Sequence, residues 1–219
     1  MAVRLEKNPA VSKQALRRMP AYLLYLEALN PTTVVSISAT TIANELGLNE
    51  VQVRKDLAAA SLSGGRPRTG FKVKELIRDI KSYLGYDDVY NAVIIGTGKL
   101  GQALLSYQGF AEYGLDIVAA FDTNPELIGQ QFNRKPVYPP EKMPEICRSL
   151  KIQIGIITVP AEYAQDACDH LTESGIQAIW NFAPVLLTAP PEIIVQNENM
   201  AISLAILSQH LSVKLKKQH

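Results

Sequence analysis

Between Asn91 and Gly101 an apolar run, Ala92-Val93-Ile94-Ile95, passes without a break into Gly96-Thr97-Gly98-Lys99-Leu100-Gly101. Branched residues feeding into Gly-x-Gly-x-x-Gly mark a strand entering a phosphate-binding turn. The turn alone is a weak sign, and its context makes it strong. Residues 99–107 read as a helix and Leu115–Phe121 as a second, almost wholly apolar strand. Asp122 ends that strand, 21 residues past Gly101. A carboxylate there accepts hydrogen bonds from an adenosine ribose and repels a 2′-phosphate. Thr123-Asn124 bring no arginine, so NAD(H) is favoured over NADP(H).

Further strand and helix signals follow. Residues 152–158 read as a strand, Ala161–Glu173 as a helix, and residues 176–180 and 193–196 as short strands. In an open parallel sheet, ligands lie across the strand carboxyl ends. Thr158-Val159-Pro160 and Asn181-Phe182-Ala183-Pro184 are therefore expected to border the nicotinamide half of a dinucleotide. Neither loop offers a catalytic acid, base or nucleophile, and histidines are few: His170, His210 and His219. A dehydrogenase normally places a proton donor opposite the hydride. A site that reads a dinucleotide without consuming it fits better, so no catalytic residue is assigned. Cys147 and Cys168 have no metal-ligand or Cys-x-x-Cys spacing and read as reduced core thiols, and no metal site is expected.

Some ninety residues precede this domain, and their charge is distinct. Residues 1–85 hold 13 Lys+Arg against 7 Asp+Glu, a net +6, while the remainder is net −5. A basic front on an acidic back points to a polyanionic partner for the front. Residues 38–61 read as two helices with a tight turn. Ser38 caps the first, which carries Ile42, Ala43 and Leu46 on one face. Gly47 ends it, and Asn49 with Gln52 forms a capping-box pattern for the second. That second helix is expected to bury Val51, Val53 and Leu57 in part.

The spacing Ala43, Gly47, Val53 suits a helix-turn-helix whose second helix enters the major groove. Gln52 and Arg54 are placed to reach base edges and Lys55 to reach phosphate. Residues 61–71, with their glycines and with Arg66 and Arg68, read as a wing for phosphate or minor-groove contact. An earlier helix over residues 20–29 carries Tyr22, Leu23, Tyr25, Leu26 and Leu29 as core, with Pro20 in its first turn. Residues 72–84 form another amphipathic helix and residues 85–90 a linker.

The chain is thus expected to be α/β. It comprises a winged helix-turn-helix DNA-binding domain (1–86), a Rossmann-like parallel-sheet NAD(H)-binding domain (87–197) and a C-terminal dimerisation helix (198–219). That helix, Met200–Lys216, is apolar on more than one stripe and wants burial on more than one side. Insertion between two subunits would satisfy it. No apolar run reaches membrane-span length, and the first residues lack a signal peptide's apolar core, so a cytoplasmic protein is expected.

In this order the pieces resemble the Rex family of redox-sensing repressors. The residues that carry the resemblance are Gln52-Val53-Arg54-Lys55-Asp56-Leu57, Gly96-x-Gly98-x-Leu100-Gly101, Phe121-Asp122, Thr158-Val159-Pro160 and Asn181-Phe182-Ala183-Pro184. The resemblance implies a homodimer with swapped C-terminal helices that binds operator DNA when NADH is scarce and leaves it when NADH binds. It implies that Gly96, Thr97, Gly98, Lys99, Leu100, Gly101, Asp122 and Thr123 hold the adenosine and pyrophosphate. The Thr158 and Asn181 loops would flank the nicotinamide. The chain departs from the family pattern at residues 58–65, which lack the usual aromatic. It departs also at Leu24, where the family often has Arg, and at Asn199 and Met200, where it often has Asp and an aromatic. Two alternatives stand beside this reading: an NAD-dependent dehydrogenase with an accessory helical domain, and a regulator reading a coenzyme A ester.

Overall fold

The computed structural model describes residues 13–30 and 32–216. The first residues, read above for a signal peptide, and His219 lie outside these, as does the side chain of Met200. The chain divides into two compact units, Met1–Asp88 and Val89–His219.

The first unit runs α1 (Lys13–Glu27), β1 (Ser36–Ile37), α2 (Ala39–Leu46), α3 (Glu50–Ala60), β2 (Phe71–Lys72) and α4 (Val73–Tyr83). Its core joins Met19, Tyr22 and Leu26 of α1 to Ile42, Val53, Leu57, Leu76 and Ile80. Pro20 sits inside α1 and not in its first turn as expected. The buried stripe explains why: Ala15 and Met19 continue the Tyr22–Leu26 face backwards, so packing carries the helix through the residue that cannot donate to it. Ser38 caps α2 by accepting from the Thr41 N–H at 3.0 Å, and Gly47 ends it with a left-handed φ of 63°. Asn49 caps α3 by accepting from the Gln52 N–H at 3.1 Å. Val51, expected to be partly buried, is 58% exposed, because the core-facing stripe is Val53, Leu57 and Ala60.

The second unit runs β3 (Tyr90–Ile95), α5 (Lys99–Ser106), β4 (Leu115–Phe121), β5 (Gln131–Phe132), β6 (Lys135–Tyr138), α6 (Met143–Ser149), β7 (Ile154–Ile157), α7 (Ala161–Glu173), β8 (Ala178–Asn181), β9 (Ile194–Asn197) and α8 (Met200–Lys216). One seven-stranded sheet has the order β5-β6-β4-β3-β7-β8-β9, parallel throughout except at the β5–β6 hairpin. The chain travels outward from β3 through β4 to β6, then starts again on the other side with β7. Order therefore reverses between β3 and β7, the switch point where doubly wound sheets bind ligands.

Both faces of the sheet are covered. Val93 and Ile95 of β3 enter one core, and Ala92 and Ile94 the other. On β4 the alternation is re-phased at Val118, where the register with β3 shifts by one residue. Ile117 and Ala120 consequently share a face, as do Ala119 and Phe121. Gly155 of β7 lets α7 lie close, since a Cβ there would stand 2.5 Å from Leu171. The sequence reading passed over β5, β6 and α6. It also gave Tyr90 to the linker and Asn181 to a loop, whereas both lie in strands.

Asn199 precedes helix α8, and its Oδ1 accepts from the Ala201 N–H at 2.9 Å. Its apolar side chains stand out on every side: Leu204 is 62% exposed and Leu207 65%.

Candidate functional site

The carboxyl end of β3 turns through three glycines with different duties. Gly96 has φ +93°, and a Cβ on it would strike Val159 at 2.7 Å. A Cβ on Gly101 would lie 2.1 Å from the Gly96 carbonyl oxygen, so this glycine lets α5 pack against the turn. A Cβ on Gly98 would meet nothing within 4 Å. Gly98 is exposed and stands at the head of α5, where backbone N–H groups lack helical partners.

Asp122 reaches back into this turn. Its Oδ2 accepts from both the N–H and the hydroxyl of fully buried Thr97, each at 2.6 Å. Its Oδ1 accepts from the Asn124 N–H at 2.9 Å. Burial pushes this carboxyl up, but the Thr97 hydroxyl and the N–H groups of Asn124, Thr97 and Thr123 outweigh it. The group is held below the usual carboxylate range. Thr158 braces the turn from β7, its hydroxyl donating to the Gly96 carbonyl at 2.7 Å.

A cavity of about 600 Å³ opens at this point. Gly96, Gly98, Asp122, Thr123 and Thr158-Val159-Pro160 all line it. The sequence reading missed the rest of the wall: Pro140, Glu141 and Met143 after β6, and Tyr163, Asp166 and His170 along α7. The spacing of Tyr163, Asp166 and His170 on one helical face was the available signal. The cavity joins the Thr158 loop to the Asp122 side.

The cavity lining does not include Asn181, Phe182, Ala183 or Pro184. Asn181 is fully buried. Its Nδ2 donates to the Val185 carbonyl and to Asn197 Oδ1, both at 2.8 Å, and its Oδ1 accepts from the Ala183 N–H. The residue shapes the turn after β8 and ties it to β9. Phe182 packs against Trp180 with ring centroids 4.8 Å apart and planes tilted by 52°, and the Trp180 indole donates to Glu198. Thr97 and Gly101 are buried, and Lys99 and Leu100 are exposed on α5.

In the first unit, Gln52, Arg54 and Lys55 are all exposed on α3. Arg54 pairs with Glu50 one turn back. Gln52 does not complete a capping box, because its Nε2 donates to Asp56 Oδ1 at 2.9 Å. Asp56 is 3% exposed and also receives Arg18 and Tyr22 from α1. The wing is a tight hairpin in which Arg66 and Gly70 exchange backbone hydrogen bonds at 2.8 and 2.9 Å. Arg66 and Arg68 are exposed at its tip, Arg68 with φ 67°. A Cβ on Gly70 would stand 2.2 Å from the Ile37 carbonyl, so the hairpin lies flat against β1. Buried Asp79 of α4 holds the wing's start by accepting from the Leu62 N–H at 2.9 Å.

Residues 87–185 match the family described as CoA binding domain, and residues 10–58 the family described as "Putative DNA-binding protein N-terminus". The redox-sensing transcriptional repressor Rex of Treponema denticola is 39% identical, over 96% of this chain and 100% of its own length. The crystal structure of RSP with β-NAD+ and operator DNA matches with a TM-score of 0.85 at 36% identity, covering 96% of this chain and 97% of that one. RSP with β-NADH matches at 0.84 and 36%, covering 96% and 99%. RSP is a Rex-family repressor. Likeness of this degree extends through both units, and the chain belongs to the Rex family of redox-sensing transcriptional repressors.

Proposed function

We propose that this chain is a homodimeric repressor that binds double-stranded operator DNA through its first unit and releases it when NADH occupies the cavity beside Gly98 and Asp122. The observation that carries the reading is the open space at Gly98. Packing of the chain on itself accounts for Gly96 and Gly101. Packing does not demand a glycine at position 98, whereas a ligand passing close to the backbone does, and a pyrophosphate at the head of α5 is such a ligand. RSP, solved with NADH and with NAD+ plus operator DNA, supports the same assignment.

In this reading the N–H groups at Gly98, Lys99 and Leu100 receive the pyrophosphate, with Thr97 and Gly101 shaping the turn. Asp122 and Thr123 hold the adenosine ribose. The loops Thr158-Val159-Pro160 and Asn181-Phe182-Ala183-Pro184 flank the nicotinamide. The oxidised ring is positively charged and the reduced ring neutral. An apolar surround at Phe182 and a partner's α8 favours the neutral form, because burying an unpaired charge is costly. NADH acts as an effector, and the chain is not an enzyme. Arg54 and Gln52 reach base edges, while Lys55, Arg66 and Arg68 reach phosphates or the minor groove. The working domains are residues 1–86, 87–197 and 198–219, and the protein acts in the cytoplasm. Among the described residues no helix is long and apolar enough to cross a membrane.

The test is a titration of NADH and of NAD+ against an operator duplex at fixed salt. NADH is expected to release the duplex, and NAD+ to do so far less. Moving the dimer from mostly bound to mostly free requires roughly 10⁴-fold preference for one state. Equal effects of the two forms would overturn the redox-sensing reading. A coenzyme A ester acting in place of NADH would favour the alternative ligand.

A further inference from the structure

The Asp56 carboxylate has four acceptor positions, and four donors fill them. Arg18 Nε and the Tyr22 hydroxyl donate to Oδ2, both at 2.8 Å. Arg18 Nη2 donates to Oδ1 at 3.1 Å and Gln52 Nε2 to Oδ1 at 2.9 Å. An ionised carboxylate accepts and never donates. The carboxamide of Gln52 therefore has one permitted orientation, with its NH₂ on Asp56. The reverse orientation would set two oxygens against each other and leave a nearly buried lone pair unsatisfied. None of these bonds uses Gln52 Oε1, and Gln52 is exposed on α3 as Arg54 and Lys55 are.

We propose that Asp56 is a positioning residue that turns the Gln52 carboxamide so its carbonyl oxygen faces outward, making Gln52 a reader of one exocyclic amino group in the operator's major groove. Only adenine N6 and cytosine N4 present a donor there; guanine and thymine present acceptors at the corresponding positions. A free glutamine could turn over and serve either kind of base. A glutamine held by a saturated carboxylate cannot, and its specificity is set before DNA arrives. Arg18 and Tyr22 take part by fixing the carboxylate itself.

This inference rests on the reading of α3 as the DNA-recognition helix. The test uses the full-length protein and a duplex selected by it from a random pool. At each half-site position, every adenine or cytosine is replaced in turn by an analogue lacking only the exocyclic amino group. One position per half-site should cost the wild type about tenfold in affinity, the worth of one good base contact. The same replacement should cost Q52A nothing. In D56N the penalty should fall below about threefold, since an asparagine lets the glutamine turn over. If D56N does not fold, the Gln52 side-chain amide in the DNA-free wild type supplies the second readout. One downfield, exchange-protected proton, the one directed at Asp56, is expected from an amide held there. An amide whose protons exchange as fast as those of a solvated glutamine, or an analogue scan in which no position separates wild type from Q52A, overturns the proposal while leaving operator binding intact. Failure to select any duplex at all would instead remove the repressor reading on which it stands.

Discussion

Thr97 meets Asp122 through two bonds to one oxygen: its backbone N–H and its hydroxyl both donate to Oδ2 at 2.6 Å. The acid at the end of β4 therefore closes the glycine turn of β3 before it meets any ribose. Oδ1 in turn holds the Asn124 N–H. The carboxylate is thus both a strut and a ligand group. Asp122→Ala should weaken NADH binding by more than tenfold and leave DNA binding without effector intact. Thr97→Val keeps the backbone donor and should cost less, about fivefold, the worth of one hydrogen bond. Titration of NADH into each variant, followed by nicotinamide fluorescence, reads both. Loss of DNA binding in Asp122→Ala would show damage to the fold instead.

The three glycines separate folding from binding. Gly98→Ala places a methyl group where the chain has nothing, at a φ of −65° that alanine adopts freely. Thermal stability should change by under about 1 kcal/mol, while NADH affinity falls steeply. Gly101→Ala drives a Cβ to 2.1 Å from the Gly96 carbonyl and should destabilise the second unit outright. Melting curves with and without NADH distinguish the pair. A Gly98→Ala protein that still binds NADH normally would remove the pyrophosphate from this turn.

The contrast shows what a sequence can display. The turn at Gly96, the strand to Asp122 and helix α7 were legible because each is one local pattern with a fixed period. The caps at Ser38 and Asn49 were legible for the same reason. Asp56 was not. Nothing in Arg54-Lys55-Asp56 tells that the last charge turns inward, because its partners Arg18 and Tyr22 lie more than thirty residues away. Asn181 was given to a loop for a related reason: it ends β8, and the partners that fix its amide, Val185 and Asn197, come later in the chain. The α6 wall of the cavity was missed because Met143 and its neighbours carry no motif and become site residues only through the sheet order.

The Asp56 cluster also sets how the first unit responds to pH. Burial pushes the Asp56 carboxyl up, but hydrogen bonds from Arg18, Gln52 and Tyr22 outweigh it and hold the group below its ordinary value. A depressed carboxylate contributes stability that is present above about pH 4 and lost as pH falls through the folded value. Tyr22 behaves oppositely: burial, then the Asp56 bond, raises its phenol to about 12. Its contribution is complete below about pH 10 and lost as pH rises towards 12. Tyr22→Phe should flatten the alkaline limb of the stability curve. Arg18→Met strands a buried carboxylate and should cost about 3 kcal/mol at neutral pH, a loss that shrinks as acid protonates Asp56. Denaturant melts across the pH range measure both. An Arg18→Met protein as stable as wild type at neutral pH would show that the cluster holds nothing together.

Helix α8 carries the last prediction. Ile202, Leu204, Ile206, Leu207, Leu211, Val213 and Leu215 are each at least 42% exposed, and they surround the helix instead of striping it. One protein surface can cover only one side of such a helix, so a second copy of the chain is the expected cover. Burying each of these side chains is worth roughly 1–2 kcal/mol, enough in sum to hold a dimer. If α8 holds two copies together, a double change, Leu204→Glu with Leu211→Glu, places charges on that surface and should leave the chain monomeric at micromolar concentration. Sedimentation would read the mass. The monomer should keep both folded units, as judged by melting, yet bind a two-half-site operator at least a hundredfold more weakly, because its two recognition helices are no longer linked. A variant that stays dimeric would place the interface elsewhere in the chain.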